Sequence, residues 1–285
     1  MKEKLVVLGA GESGIGAAIL GKQKGYEVFL SDINTIPLAL QNLLDEKEII
    51  WESGQHSLNL MKEASIAVKS PGIPRDIPLL ELLRGNGTRI LSEIEFAAQA
   101  TSATLIGITG TNGKTTTTMM TYEILKNSGF HVGLAGNIGS SFAKQVAEED
   151  FEYYILELSS FQLDDIDQFS PHIAVITNIT PDHLDRYGYS FESYIQAKLK
   201  ITKNQSSKNF FLFNSDDEVL VKALKNHKIN AQKVPFGTFT ENISGSYLED
   251  GKIILKNQNQ TTMIHSFEFP FSGRHNLLNA MAAAT

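Results

Sequence analysis

The run "TLIGITGTNGKTTTT", residues 104–118, leaves this chain few ways to fold. A short apolar run meets a turn of glycines, and Lys114 opens a helical stretch that reaches residue 128. A strand and a helix joined by so tight a turn form the first half of a crossover unit, whose strands pair in parallel. Parallel strands need helices on both faces, so layered α/β structure follows. Residues 5–32 repeat the grammar with "LVVL", the turn "GAGESG", the helical "IGAAILGKQKG" ending at Gly25, and the strand "EVFLSD". Further short apolar runs lie in "ASIAVKSPG", "TRILSE", "VGLAG", "YYILELSS", "IAVITNIT" and "NFFLFN". Each ends in polar residues at its carboxyl end, where ligands bind in open α/β sheets. Near 243–269 the texture changes. "SYLEDGKIILK" carries an Asp250-Gly251 turn and "MIHSFEF" alternates, so a small antiparallel meander is expected there.

These patterns predict two α/β domains: an N-terminal Rossmann-like parallel-sheet domain over 1–93, and a domain over 94–285 built on a phosphate-binding loop and carrying the meander. In the second, the glycines let backbone amides turn toward phosphates at a helix N-terminus. Lys114 would reach the terminal phosphates, and the Thr115 hydroxyl would ligate magnesium. Ile108 stands where the Walker pattern wants glycine. Glu157 ends an apolar strand, where a carboxylate is buried unless paired or metal-bound. "NITPDHLDRY" supplies His183 between Asp182 and Asp185. Taken alone, Asp182 reads as a helix cap and His183 as a surface residue; the position after a strand beside the phosphate loop favours a site. Lys198 follows Tyr194 and Ile195 at helical spacing and points inward. It is a snorkelling lysine, a partner for phosphate, or a modified residue.

Composition excludes several classes. The net charge of -7 with no basic stripe argues against binding nucleic acid. The absence of cysteine removes disulfides, thiolate metal sites and cysteine nucleophiles, and suits the cytoplasm. The first twenty residues resemble a signal peptide only superficially, since Glu12 and glycines break the apolar run. No run approaches membrane-spanning length. "GRHNLLNAMAAAT" reads as a helix still in progress, so a longer parent protein is expected.

Five ordered motifs resemble the Mur ligases of peptidoglycan synthesis: "GTNGKTTT", "LELSSFQL", "NITPDHLDRY", "AKLKI" and "SGRHNLLNA". "ELSSFQL" and "DHLDRY" look like the branch of the family that adds D-glutamate. The resemblance implies that ATP phosphorylates the carboxylate of UDP-N-acetylmuramoyl-L-alanine and that the amine of D-glutamate attacks the acyl phosphate. It implies ATP contacts at Gly110, Thr111, Asn112, Gly113, Lys114, Thr115 and Thr116, and at His275, Asn276 and Asn279. Lys114, His183 and Lys198 would serve catalysis. Thr115 and Glu157 resemble ligands of one Mg2+, and His183 and Lys198 of a second, with Lys198 carbamylated. Substrate contacts would come from Ser13, Gly14, Ile15, Asp32, Ser70, Pro71, Gly72, Asn137, Ser159 and His183. The family also implies a monomer, and a third domain for the amino acid beyond this chain, so that the chain alone is expected to lack ligase activity.

Two rival readings use fewer residues. Gly9, Gly11, Gly14 and Asp32 fit a dinucleotide fingerprint and thus a nicotinamide oxidoreductase, which leaves Lys114, Glu157 and Lys198 unexplained. A phosphotransferase or nucleotide switch leaves the first ninety residues without a role.

Overall fold

The computed structural model describes residues 2–238, 244–256, 260–265 and 273–285. In chain order its elements are β1 (Lys4–Leu8), α1 (Glu12–Gln23), β2 (Glu27–Asp32), α2 (Leu38–Glu46), β3 (Ile50–Ser53), α3 (Leu58–Met61), β4 (Ile66–Lys69), α4 (Pro78–Gly85), β5 (Arg89–Ser92) and α5 (Glu93–Ala98). They continue as β6 (Thr104–Thr109), α6 (Lys114–Asn127), β7 (Val132–Gly136), α7 (Phe142–Glu148), β8 (Tyr153–Glu157), α8 (Ser160–Asp164), β9 (Ile173–Ile176), α9 (Phe191–Leu199), β10 (Phe210–Asn214) and α10 (Glu218–Asn226). The last are β11 (Gln232–Gly237), β12 (Gly245–Glu249), β13 (Lys252–Lys256), β14 (Thr261–His265) and α11 (Arg274–Ala284). Among the described residues, no helix is long and apolar enough to cross a membrane.

The first unit holds five parallel strands in the order β3-β2-β1-β4-β5. Central β1 is buried on both faces, as its unbroken apolar run requires. Val6, Leu8, Phe29 and Ala67 pack with Met61, Leu80 and Leu83 of α3 and α4 into one core cluster. The strand order reverses at β1, whose neighbours are β2 and β4. The glycine turn after β1 and the loop after β4 therefore leave the sheet side by side at its switch point.

A single boundary after residue 93 does not describe the compact units. The first comprises 1–102, 139–150 and 165–169; the second comprises 103–138, 151–164 and 170–285. Two buried acids of α5 explain the interleaving. Glu93 Oε1 accepts hydrogen bonds from Ser141 Oγ and Ala143 N, each at 2.7 Å, at the start of α7. Burial pushes the Glu93 carboxyl up, with those two bonds opposing. The Glu95 carboxylate accepts from the backbone N–H groups of Asp167, Gln168 and Phe169 at 2.8, 3.0 and 2.9 Å. Each carboxylate accepts backbone N–H donors, Glu93 also a hydroxyl, and so holds a later segment to the first unit.

The second unit is a mixed sheet in the order β14-β13-β12-β11-β10-β9-β6-β8-β7. Its strands run parallel from β7 through β12. The order reverses at β6, so the ends of β6, β8 and β9 converge. The expected meander extends this sheet: β12, β13 and β14 are antiparallel, and β12 pairs with β11. Asp250 and Gly251 both have positive φ, at 47° and 72°, as a two-residue hairpin turn of the I′ type demands. The end of the alternating "MIHSFEF" run, residues 266–269, and Ser272 of the last motif lie outside the described residues.

Replacing Glu95 with alanine removes the acceptor of three backbone N–H groups, that of Phe169 buried, and should cost about 3 kcal/mol. Urea unfolding followed through Trp51, the sole tryptophan and a resident of β3, should show the loss.

Candidate functional site

The phosphate loop follows β6. Gly113 sits at φ 80° as the cap of α6, and a Cβ there would collide with the Asn279 amide. Both backbone and neighbour thus demand glycine, and the first N–H groups of α6 are aimed out of the turn. Lys114 Nζ donates to Thr111 O at 2.8 Å. Burial lowers the pKa of Lys114, while the charges of Glu157 and Asp182 pull it upward. At the end of β8, Glu157 is 1% exposed. Its Oε2 accepts from Thr115 Oγ1 and its Oε1 from Asn137 Nδ2, both at 2.8 Å.

Among the described residues, no group of three or more His, Cys, Asp or Glu side chains is arranged to hold a metal ion. Magnesium does not require one, because it uses one or two protein oxygens and completes its shell with phosphate and water. Thr115 Oγ1 and Glu157 Oε2, adjacent hard oxygens at a helix N-terminus, fit such an ion. The second pair from the sequence is not brought together in this way. His183 has φ 47° and its side chain is 60% exposed. Its Nε2 lies 3.6 Å from Asp182 Oδ2, and its ring meets Phe161 edge-on at 5.6 Å. Among the described residues, no hydrogen bond or ion pair joins it to Lys198.

Lys198 points inward, as the helical spacing predicts, and is 2% exposed. Its Nζ donates to Gly110 O at 2.7 Å and lies 4.6 Å from the centroid of the Tyr194 ring. Tyr194 OH stands 3.2 Å from Thr111 Oγ1, which ties α9 to the phosphate loop. Burial, reinforced by the charge of Lys114 and opposed by Asp182, lowers the Lys198 pKa to about 7. Asp182, which the sequence offered as a helix cap, thus acts on both lysines. Ser159 is engaged locally: its N and Oγ both donate to Gln162 Oε1 at the start of α8.

Beside the loop lies a cavity of about 350 Å³. Asn112, Gly113 and Thr116 line one side, and His275, Asn276 and Asn279 of α11 line another, so residues far apart in sequence meet here as the motif order suggests. Thr177, Asn178 and Asn214 also line it. Thr177 Oγ1 and Asn178 Nδ2 both donate to Asn112 O, at 2.7 and 2.8 Å, and fix the loop. The sequence did not single out these three. Their signal is their place at the carboxyl ends of the apolar runs "IAVI" and "FFLF".

In the first unit, Asp32 serves the glycine turn itself. Its Oδ2 accepts from Ala10 N at 2.6 Å and its Oδ1 from Asn34 N at 2.8 Å. Both oxygens are engaged by backbone, whereas a dinucleotide fold directs this acid to ribose hydroxyls. Ser13, Gly14 and Ile15 form the first turn of α1. Pro71 and Gly72 continue the loop after Ser70 at the end of β4. Ser70 approaches Gly9 so closely that a Cβ on Gly9 would collide with Ser70 Oγ. That hydroxyl is buried and has no hydrogen-bond partner among the described residues. An orphaned donor beside a glycine turn suits a phosphate oxygen.

The pattern of the Mur ligase middle domain matches residues 108–285, and that of the N-terminal domain of MurD-like Mur ligases matches residues 3–92. The UDP-N-acetylmuramoylalanine–D-glutamate ligase of Bacteroides fragilis is 49% identical over 281 residues, which cover 99% of this chain and 63% of that protein. The ligase of the same name from Christiangramia forsetii is 45% identical over 284 residues, covering 100% of this chain and 64% of its own length. A solved murein peptide ligase from Psychrobacter arcticus shares the fold, with a TM-score of 0.64 at 20% identity over 99% of this chain and 64% of that one. The chain therefore spans less than two thirds of the length of these relatives. Its two domain patterns stand in order and the middle-domain pattern alone covers more than half of the sequence: the chain belongs to the Mur ligase family.

Proposed function

We propose that this sequence belongs to an ATP-dependent, ADP-forming amide ligase that joins D-glutamate to UDP-N-acetylmuramoyl-L-alanine, in cytoplasmic synthesis of peptidoglycan precursor. The observation that carries this reading is the dry Glu157 carboxylate, bonded to Thr115 of the phosphate loop and to Asn137. Amide formation from a carboxylate needs a better leaving group than oxide. Transfer of the terminal phosphoryl group of ATP to the carboxylate oxygen gives an acyl phosphate and ADP. Attack by the amine then forms the C–N bond, and phosphate departs from the tetrahedral adduct.

The chain's own residues suit these steps. Lys114 offsets charge as two anions meet, and the N-terminus of α6 receives phosphate oxygens. Thr115 and Glu157 would hold a magnesium ion, which supplies further charge neutralisation when bound. With a pKa of about 7, much of Lys198 is a neutral amine near neutral pH, and a neutral amine adds to carbon dioxide with loss of one proton to give a carbamate. That change would turn an inward cation into the hard oxygen ligand that a second magnesium site with His183 requires. The glycine turn, Ser70 and Asp32 of the first unit are assigned to the UDP-sugar, and the protein to a monomeric state.

Calorimetric titration should show that this chain binds UDP-N-acetylmuramoyl-L-alanine in preference to NAD; selective binding of NAD would overturn the reading. Glu157→Gln should weaken magnesium-dependent ATP binding by about tenfold and leave magnesium-free ADP binding within about twofold. In ¹³C-bicarbonate NMR of the nucleotide-bound chain, a carbamate signal absent from Lys198→Arg should grow as pH rises through about 7, where an ordinary lysine stays protonated to about 10.

A further inference from the structure

The loop after β4 is held by a charged cluster that the ligase reading does not use. Lys69, the last residue of β4, is 2% exposed, and its Nζ lies 2.5 Å from Asp165 Oδ2. The same Nζ donates to Ile73 O at 3.0 Å, inside the turn that Ile73 N closes on Ser70 O. Arg75, at the far end of the loop, places Nε 2.8 Å from Asp165 Oδ1. The two oxygens of one carboxylate thus grip the beginning and end of residues 69–75. Between these anchors stands Ser70, with its buried, unpartnered hydroxyl against the Gly9 turn. Asp165 belongs to the short segment 165–169 that the chain returns to the first unit.

We propose that Asp165 is a positioning residue for the UDP-sugar: through Lys69 and Arg75 it fixes the 70–75 loop so that Ser70 Oγ and the glycine turn together receive the diphosphate. The inference rests on reading the first unit as the UDP-sugar site. A largely buried carboxylate, 10% exposed, with two cationic partners is costly to disturb and holds one geometry, as positioning requires. The cluster carries one surplus positive charge beside the expected anion, and this makes the sign of a mutation informative. Asp165→Asn raises the local charge by one. If the cluster acted only through its field, a dianionic diphosphate would bind more tightly. If Asp165 positions the loop, binding weakens although the charge becomes more favourable.

The test is titration of UDP-N-acetylmuramoyl-L-alanine into the unaltered chain and its variants, with magnesium-ATP titrated in parallel as the control for the second unit. Asp165→Asn should weaken the UDP ligand by about tenfold and leave ATP within about twofold. Arg75→Ala, at a side chain 52% exposed, should weaken it by about threefold, and Arg75→Lys should restore part of the loss. Unchanged or tighter binding of the UDP ligand to Asp165→Asn overturns the proposal. If Asp165→Asn loses both ligands, as unfolding would cause, the charge-conserving Arg75→Lys decides: weaker binding of the UDP ligand than by the unaltered chain, with ATP unchanged, supports the clasp, and binding equal to that of the unaltered chain overturns it. Failure of the unaltered chain to bind the UDP ligand, with ATP bound normally, overturns the reading of the first unit and the clasp with it.

Discussion

The second unit depends on one buried carboxylate with both of its oxygens paired. Glu157 ends a buried strand, where an unpaired carboxylate would be strongly disfavoured. Two donors from different crossovers resolve this: Thr115 lies in the first turn of the helix after β6, and Asn137 follows β7. Asn137 also donates its backbone N–H to Glu157 O at 2.8 Å, so the loop is attached twice. The three strand ends are thereby fixed relative to one another by polar bonds rather than by packing alone. The same oxygens are of the kind that suits a hard cation, so the group that ties these strand ends together is also the one to which the metal role is proposed.

Lys198 presents the complementary case. Its amine is buried among a carbonyl, an aromatic face and a second lysine's field, and these surroundings favour the neutral form. The folded state therefore gives up stability below the ordinary lysine pKa, and the full cost is reached as pH falls through about 7. Such a penalty is tolerable where a site needs a nucleophilic amine near neutral pH. Tyr194 sustains the arrangement, since its hydroxyl reaches Thr111 while its ring lies beside the amine.

The sequence revealed most where local chemistry has a single solution. "EVFLSD" and "VGLAG" coincide with β2 and β7 because a short apolar stretch between turn signals is too brief for a helix and reads as a buried strand. Asp250-Gly251 announced its hairpin because few residue pairs accept two positive φ values. Lys198 was legible as inward-facing from helical spacing, and Glu157 as a buried acid from its strand. What stayed hidden was long-range. Nothing local in "EIEFAA" indicates that Glu93 would receive residues 141 and 143, or Glu95 residues 167–169. Thr177, Asn178 and Asn214 look like ordinary strand ends until the strand order sets them beside the phosphate loop. His183 illustrates the reverse: its motif was plain, but its exposed side chain depends on a left-handed backbone that spacing does not disclose.

The returning segments also bear on how the protein is made. All five strands of the first sheet have been synthesised by residue 92, but its anchoring segments end only at residue 169. In between, the ribosome delivers β6, α6, β7 and β8, which form one side of the other sheet. Until then Glu93 and Glu95 are carboxylates without the N–H groups that make their burial tolerable. The strands of the N-terminal sheet thus emerge complete well before the segments that pair its two buried acids, and the sheet's last anchors arrive only with the strands of its neighbour.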